Sequence, residues 1–294
     1  MPGDRAMSGG RAVSGDRAAA RRRRAAIRAL RYAVLVAVAA VVLFPVYITV
    51  VNSLLTPDVI GHRPPTLFPV HPHGSAYVTA WHQGHMGTYL RNSFVVALAI
   101  TAGQVATSIL AGYAFALVRF PLRTPLFVVF LSTLMVPFEA TIITNRHTIV
   151  SLGWVNRYPA LVVPFLATGL GTFLLRQAFL GVPRELQDAA RLDGYGHCRF
   201  MLRVAVPLAR PSVAALGVFS FLGAWNQYLW PLLVTDTDRL RTVQIGLRQL
   251  EGESIQQISV TFAGTVLAAV PIFVLLVIFQ KQLVRGLTAG AVKG

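Results

Sequence analysis

Apolar residues along this chain gather into six long runs separated by short polar stretches. Run length, not strict alternation, is what predicts the fold. The runs are Tyr32–Val51, Ser93–Val118, Pro125–Ile143, Tyr158–Leu175, Ser212–Val234 and Val260–Gln280. Each is close to the about 20 residues that a helix needs to cross a hydrocarbon core. Five contain no charged residue, and the third contains one, Glu139. Every run holds proline or glycine, among them Pro45, Gly103, Pro137, Pro164, Pro231 and Pro271. Soluble helices tolerate these poorly, whereas membrane helices use them for kinks and close approach. The predicted fold class is therefore an all-α membrane protein with six transmembrane helices.

One interruption has a different pattern. Residues 181–211, between the fourth and fifth runs, are charged yet keep apolar residues at helical spacing. Pro183 suits a first helical turn and Glu185 complements the positive end of its dipole. Leu186, Ala189 and Ala190 then share a face at i, i+3, i+4, and Gly194 and Gly196 end the helix. A second short helix is expected, with Phe200, Met201 and Val204 on one side and Arg199 and Arg203 on the other, closed by Pro207 and Pro211. Such a pair of amphipathic helices lies on a membrane surface or docks to a protein partner, and the pattern leaves both open.

Composition strengthens the membrane reading. The 294 residues are 54% hydrophobic and 13% charged, with a mean hydropathy of +0.59. Much of the net charge of +16 sits in the tail before the first run, above all in "RRRRAAIRALR" at 21–31. That placement fits a cytoplasmic anchor rather than a nucleic-acid face. With six crossings, 20 of the 27 lysines and arginines fall on one side and seven on the other. Both termini and the 181–211 loop are thereby expected in the cytoplasm. The expected organisation is a disordered basic tail at 1–31, a six-span domain at 32–284 and a short cytoplasmic tail at 285–294. The first run lacks a convincing cleavage site and reads as a retained span rather than a signal peptide. Cys198 is the single cysteine, so no intramolecular disulfide can form.

The loop resembles the EAA signature of inner-membrane subunits of ATP-binding-cassette importers: Glu-Ala-Ala, three residues, Gly, nine residues, Ile-x-Leu-Pro. Asp188-Ala189-Ala190, Gly194, Val204 and Pro207 keep that spacing, with Asp for Glu and Val for Ile and Leu. "NSFVVA", "FLLRQAFLGVPRELQDAARLDG", "WNQYLWPLL" and "VRGLTAGAVKG" are similar to carbohydrate-uptake permeases related to the maltose system's smaller permease. "TLMVPFEATII" and "WNQYLWPLLVTD" resemble the permeases for glycerol-3-phosphate and glycerophosphodiesters among them. The resemblance implies an ATPase-coupling loop built from Glu185, Asp188, Ala189, Ala190, Gly194, Val204 and Pro207. It implies a homologous second permease, two ATPase subunits that bind the ATP and magnesium, and an extracytoplasmic solute-binding protein. The chain itself offers no phosphate-cradling Gly-Lys-Ser/Thr: its two lysines, Lys281 and Lys293, do not follow glycine.

Within the runs, Glu139 is either a polar lining of the solute path or a structural acid near a span's end. Asn226 and Gln227, flanked by Trp225 and Tyr228, either line a path or hydrogen-bond between helices. His62, His71, His73, His82 and His85 invite a metal reading, but they have no acidic partner nearby and read as solvated loop histidines. No nucleophile–base–acid set can be assembled, so an enzyme is not expected. A nucleotide-independent carrier is disfavoured by the coupling loop.

Overall fold

The computed structural model describes residues 9–61, 64–69, 71–251 and 255–288. The elements are helical: α1 Gly9–Ser53, α2 Pro57–Ile60, α3 Ser75–His82, α4 Met86–Leu117, α5 Arg123–Ser132, α6 Phe138–Ser151, α7 Tyr158–Val162, α8 Gly169–Leu180 and α9 Arg184–Leu192. They continue with α10 His197–Phe200, α11 Val206–Leu208, α12 Arg210–Trp225, α13 Leu229–Val234, α14 Val243–Leu250 and α15 Ile255–Thr288. No strand occurs among the described residues.

Three helices are long and apolar enough to cross a membrane alone: Ala25–Ser53, Met86–Leu117 and Gln257–Gln282. Three bent pairs bring the crossings to six: Arg123–Met135 with Phe138–Ser151 at 93°, Tyr158–Phe165 with Gly169–Leu180 at 46°, and His197–Leu208 with Arg210–Trp225 at 82°. The expected six-span class stands. Three spans expected to be continuous are corrected. The third turns at Val136-Pro137, where a residue before proline is pushed into the extended region (Val136 φ −88°, ψ 110°). The fourth breaks before Gly169. The fifth stops at Trp225 and resumes at Leu229.

The tail also differs from expectation. α1 starts at Gly9, so the basic stretch continues the first span as helix, consistent with the high helix propensity of alanine and arginine. Residues 1–8, and 289–294 of the C-terminal tail, lie outside the described residues.

α4 is the central helix, packed on α8 and α12; α12 packs on α15, and α15 carries α1 on its outside. α1 is exposed from Ala25 to Tyr47, a face for lipid or another subunit. Two cores form at opposite ends. One gathers Tyr89, Ile100, Leu161, Trp225, Trp230 and Val243, and the other Tyr113, Leu175, Phe179, Ala190, Phe200 and Met201. The second holds the 181–211 loop, so that end is the loop end and the other the far end.

The α4–α8 seam is built on small residues. Ser108 faces Gly171, and Gly112, one turn on, faces Leu175 and Arg176. A Cβ on Gly112 would sit 3.0 Å from the Arg176 backbone nitrogen, and one on Gly171 would overlap the Ser108 hydroxyl. Small residues let membrane helices approach closely enough for dispersion to hold them, since lipid removes the hydrophobic drive.

Candidate functional site: an amphipathic loop, a broken span and a pinned far end

At the loop end, α9 terminates in a Schellman motif. The Tyr195 N–H donates to the Ala190 carbonyl (2.8 Å) and the Gly194 N–H to the Arg191 carbonyl (3.0 Å). Gly194 takes the left-handed conformation this requires, at φ +73°. The turn sends Tyr195 back over Ala190. Arg199 stacks on the Tyr195 ring at 4.2 Å, and the His197 Nδ1 lies 3.2 Å from the Tyr113 hydroxyl of α4. A cleft of about 230 Å³ remains between Tyr113, Leu117 and the loop residues Gln187, Ala190, Arg191 and His197.

The second loop helix is longer than expected. It runs from His197 to Leu208 and widens into a π-helical turn over Met201–Ala205. Pro207 explains the widening: it has no N–H to donate and its ring crowds the carbonyl four residues back, that of Arg203. Phe200 and Met201 are buried, Val204 is half-buried, and Arg199 and Arg203 are exposed, as their spacing predicts.

α9 departs from its predicted face. Ala190 is buried at 7% exposure, but Leu186 (41%), Ala189 and Leu192 (90%) are open. Three apolar residues at i, i+3, i+6 thus form a bare stripe beside the exposed Glu185 and Asp188. The nearest partner of Asp188 is Arg191, at 3.6 Å on the same helix. The structure brings all seven loop residues onto one element that grips the spans on one side and is uncovered on the other.

In the fifth span, Asn226 ends α12 and lies exposed, its Nδ2 donating to the Leu222 carbonyl at 2.9 Å. Gln244 Nε2 reaches the Trp225 carbonyl (3.4 Å) and the Asn226 Oδ1 (3.3 Å). Gln227 Oε1 and Trp225 Nε1 are buried and unpartnered among the described residues. Trp225 stacks on Phe221 at 5.5 Å, so its ring face is covered, whereas Tyr228 is exposed. Glu139 falls in the first turn of α6, just past the 93° bend within the third candidate span, and is exposed. It makes no ion pair among the described residues. Its neighbour Phe138 packs on Phe165 and Trp230.

The far end contains a hub that the sequence pattern did not single out residue by residue. Asn92, fully buried, donates to the carbonyls of Arg239 (2.8 Å) and Arg241 (3.0 Å) and accepts from the Tyr158 hydroxyl (3.0 Å). Ser93 Oγ accepts the Val243 N–H at 2.7 Å. The "NS" opening "NSFVVA" thereby pins the loop after α13 to α4. Asp238 on that loop accepts from Tyr89 (3.0 Å) and Arg241 (2.8 Å). The Tyr89 hydrogen bond holds its carboxyl below the usual carboxylate range; burial opposes it, and the weaker effect of the Arg241 charge adds to the lowering. No signal short of the fold pairs residue 92 with residues 239–243.

Asn92→Leu leaves two carbonyls and a hydroxyl without their partner, at about 1–3 kcal/mol for each group that water cannot reach. We expect amide exchange at Val243 to speed up by about tenfold or more, since 1.4 kcal/mol is one decade. Exchange at the wild-type rate would show that the loop is held elsewhere. Among the other flagged residues, His73 Nδ1 lies 2.7 Å from the His71 carbonyl and His85 packs edge-on to Tyr89. No cluster of three metal-ligating side chains occurs among the described residues, and His62 lies outside them.

Comparison with known proteins places this geometry. The family model described as binding-protein-dependent transport system inner membrane component matches residues 87–289. The sn-glycerol-3-phosphate transport system permease protein UgpE of Agrobacterium fabrum is 36% identical over 269 residues, covering 88% of this chain and 95% of that protein. Its counterpart in Yersinia pestis bv. Antiqua is 38% identical over 255 residues, covering 84% and 90%. A crystal structure of a bacterial ABC transporter involved in the import of the acidic polysaccharide alginate superposes with a TM-score of 0.78 at 20% identity, over 87% of this chain and 96% of that one. The matched region runs from the start of α4 into the last helix and includes the 181–211 loop, the broken span and the Asn92 hub; the chain belongs to the family of inner-membrane components of binding-protein-dependent transport systems.

Proposed function

We propose that this chain is one permease subunit of an ATP-driven importer whose solute is sn-glycerol-3-phosphate or a glycerophosphodiester. The observation that carries the reading is the two-sided α9–α11 element. Its inner side is bonded and packed into α4 and α8, and its outer side presents Leu186, Ala189 and Leu192 beside Glu185 and Asp188. A separate ATPase subunit seated on that stripe would push on the spans through Tyr195, His197 and Phe200. The loop end then faces the cytoplasm, in agreement with the 20-to-7 bias of basic residues. The lack of a Gly-Lys-Ser/Thr turn supports a chain without its own ATPase site, so ATP and magnesium belong to two partner subunits. A second, homologous permease would cover α1 or the open faces of the bent spans, and a solute-binding protein would deliver at the far end.

Solute is proposed to cross beside the break at Asn226–Tyr228. Unwound backbone inside a membrane is stable only against protein or a watered cavity, and such breaks supply polar groups at mid-depth. Asn226, Gln227 and Tyr228 are the first candidates, with Trp225 positioning them and Glu139 at the neighbouring bend.

The test is uptake into proteoliposomes holding both permeases, both ATPase subunits and the loaded binding protein. ATP-dependent accumulation of glycerol-3-phosphate is expected, reduced at least about tenfold in Gln227→Leu, the loss of one hydrogen bond to a charged group, with the subunits still co-purifying. Accumulation of a neutral oligosaccharide instead would overturn the solute. Movement of solute by this chain alone without nucleotide would overturn the importer.

A further inference from the structure

The far end carries a feature that no resemblance predicts. Arg91, Arg157 and Arg239 come from three separate segments yet line one cleft of about 850 Å³, together with Asn156 and Tyr158. All three arginines are exposed, and none is in an ion pair among the described residues. The acids of the adjoining loop are in no ion pair with them among the described residues: Asp238 is taken by Arg241 and Tyr89, and Asp236, exposed and bonded by Asn156 Nδ2 at 3.4 Å, leaves one negative charge against three positive ones. Their convergence is built into the core. Asn92, next to Arg91, bonds the Arg239 carbonyl and the hydroxyl of Tyr158, which follows Arg157. One buried amide therefore ties the Arg239 backbone and the Tyr158 side chain to the helix that carries Arg91.

We propose that this cleft is an anion site that receives the phosphoryl group of the solute at the outer mouth of the permease. Guanidinium forks bind phosphate oxygens in bidentate fashion, and three unneutralised arginines suit a dianion better than a neutral sugar. The cleft is concave and within the volume range of small-molecule sites, unlike the flat surface typical of a protein dock. It also adjoins the proposed path. The loop bearing Arg239 leaves α13, and α13 begins at the break after Asn226. The assignment of a phosphate-bearing solute rests on the function proposed above, whereas the anion site rests on the arginines alone.

The experiment uses the complete complex without its binding protein and reads phosphorus-NMR line broadening of inorganic phosphate and of glycerol-3-phosphate. Both are expected to broaden with the wild type and to compete with each other, while glycerol does not compete. The combined Arg91→Gln, Arg157→Gln and Arg239→Gln variant should weaken both by about tenfold or more, and single Arg→Lys variants by a smaller factor, since lysine keeps charge but loses the fork. If the triple variant does not assemble, the single variants decide. Undiminished broadening in the variants, or none with the wild type, overturns the site. So does loss of binding-protein docking in the variants with phosphate binding intact, which would make the arginines a protein dock. Phosphate binding without any glycerol-3-phosphate uptake by the wild type would instead sink the solute assignment and leave the anion site standing.

Discussion

Gly194→Val is expected to abolish ATP-driven uptake, Gly194→Ala to impair it, and Gly194→Asn to leave most of it. The reason lies in the backbone and not in crowding. A Cβ at Gly194 would meet nothing within 4 Å, so no clash accompanies any of the three. What each replacement must do is hold φ at +73°. An L-residue loses about 1–2 kcal/mol in that region, a β-branched one more, and asparagine least after glycine. The Schellman bonds from Tyr195 and Gly194 depend on the angle. If they open, Tyr195 leaves Ala190, Arg199 loses its stacking partner and His197 drifts from Tyr113. α9 would then hang from the spans by one end, and a push from the ATPase would be absorbed in the turn. Uptake measured beside ATPase co-purification separates this from simple loss of docking. Wild-type uptake by Gly194→Val would refute the rigid-turn account.

Gly112→Leu is expected to do still more damage, at the level of assembly. The added side chain must displace the backbone of α8 at Leu175 and Arg176, which lie 3.0–3.2 Å from an ideal Cβ. Overpacking of this kind costs about 1–3 kcal/mol where a core cannot yield. Here the seam also positions the platform under the coupling loop. Arg176 Nε donates to the Phe115 carbonyl at 3.2 Å, its guanidinium covers Phe127 at 4.2 Å, and Tyr113 meets Phe179 edge-on at 6.1 Å. Prising α4 from α8 breaks these together. The purified complex should melt several degrees lower, or fail to form, while Gly217→Ala should leave the melting point alone because its Cβ meets only Thr101, at 4.0 Å. A Gly112→Leu complex as stable as the wild type would mean that the seam is looser than these distances say.

Part of the site was readable before any fold was known. The spacing from Asp188 to Pro207 placed a glycine where a helix must end, because capping is local; Pro207, expected to close the next helix, lies inside it instead. The polar pair Asn226-Gln227 was legible, but the break in the helix there was not. Other features were hidden. Leu186 and Ala189 have the period of a buried face yet are exposed, since periodicity reports which side of a helix is apolar and not what covers it. The 93° bend at Val136-Pro137 was hidden too, because hydropathy averages over a run and a proline within it reads as a kink in a continuous span.

Local chemistry in the chain determined the six apolar runs, the helix–turn–helix between the fourth and fifth, and the glycine that ends the first of its helices. Tertiary structure alone decided that Asn92 joins segments about 65 and 147 positions away, that three arginines share one cleft, and that α9 keeps an uncovered stripe. The physical reason is one of range. Caps, kinks and membrane partition depend on neighbours within a turn or a bilayer thickness, whereas a buried amide chooses its partners only after the helices have packed.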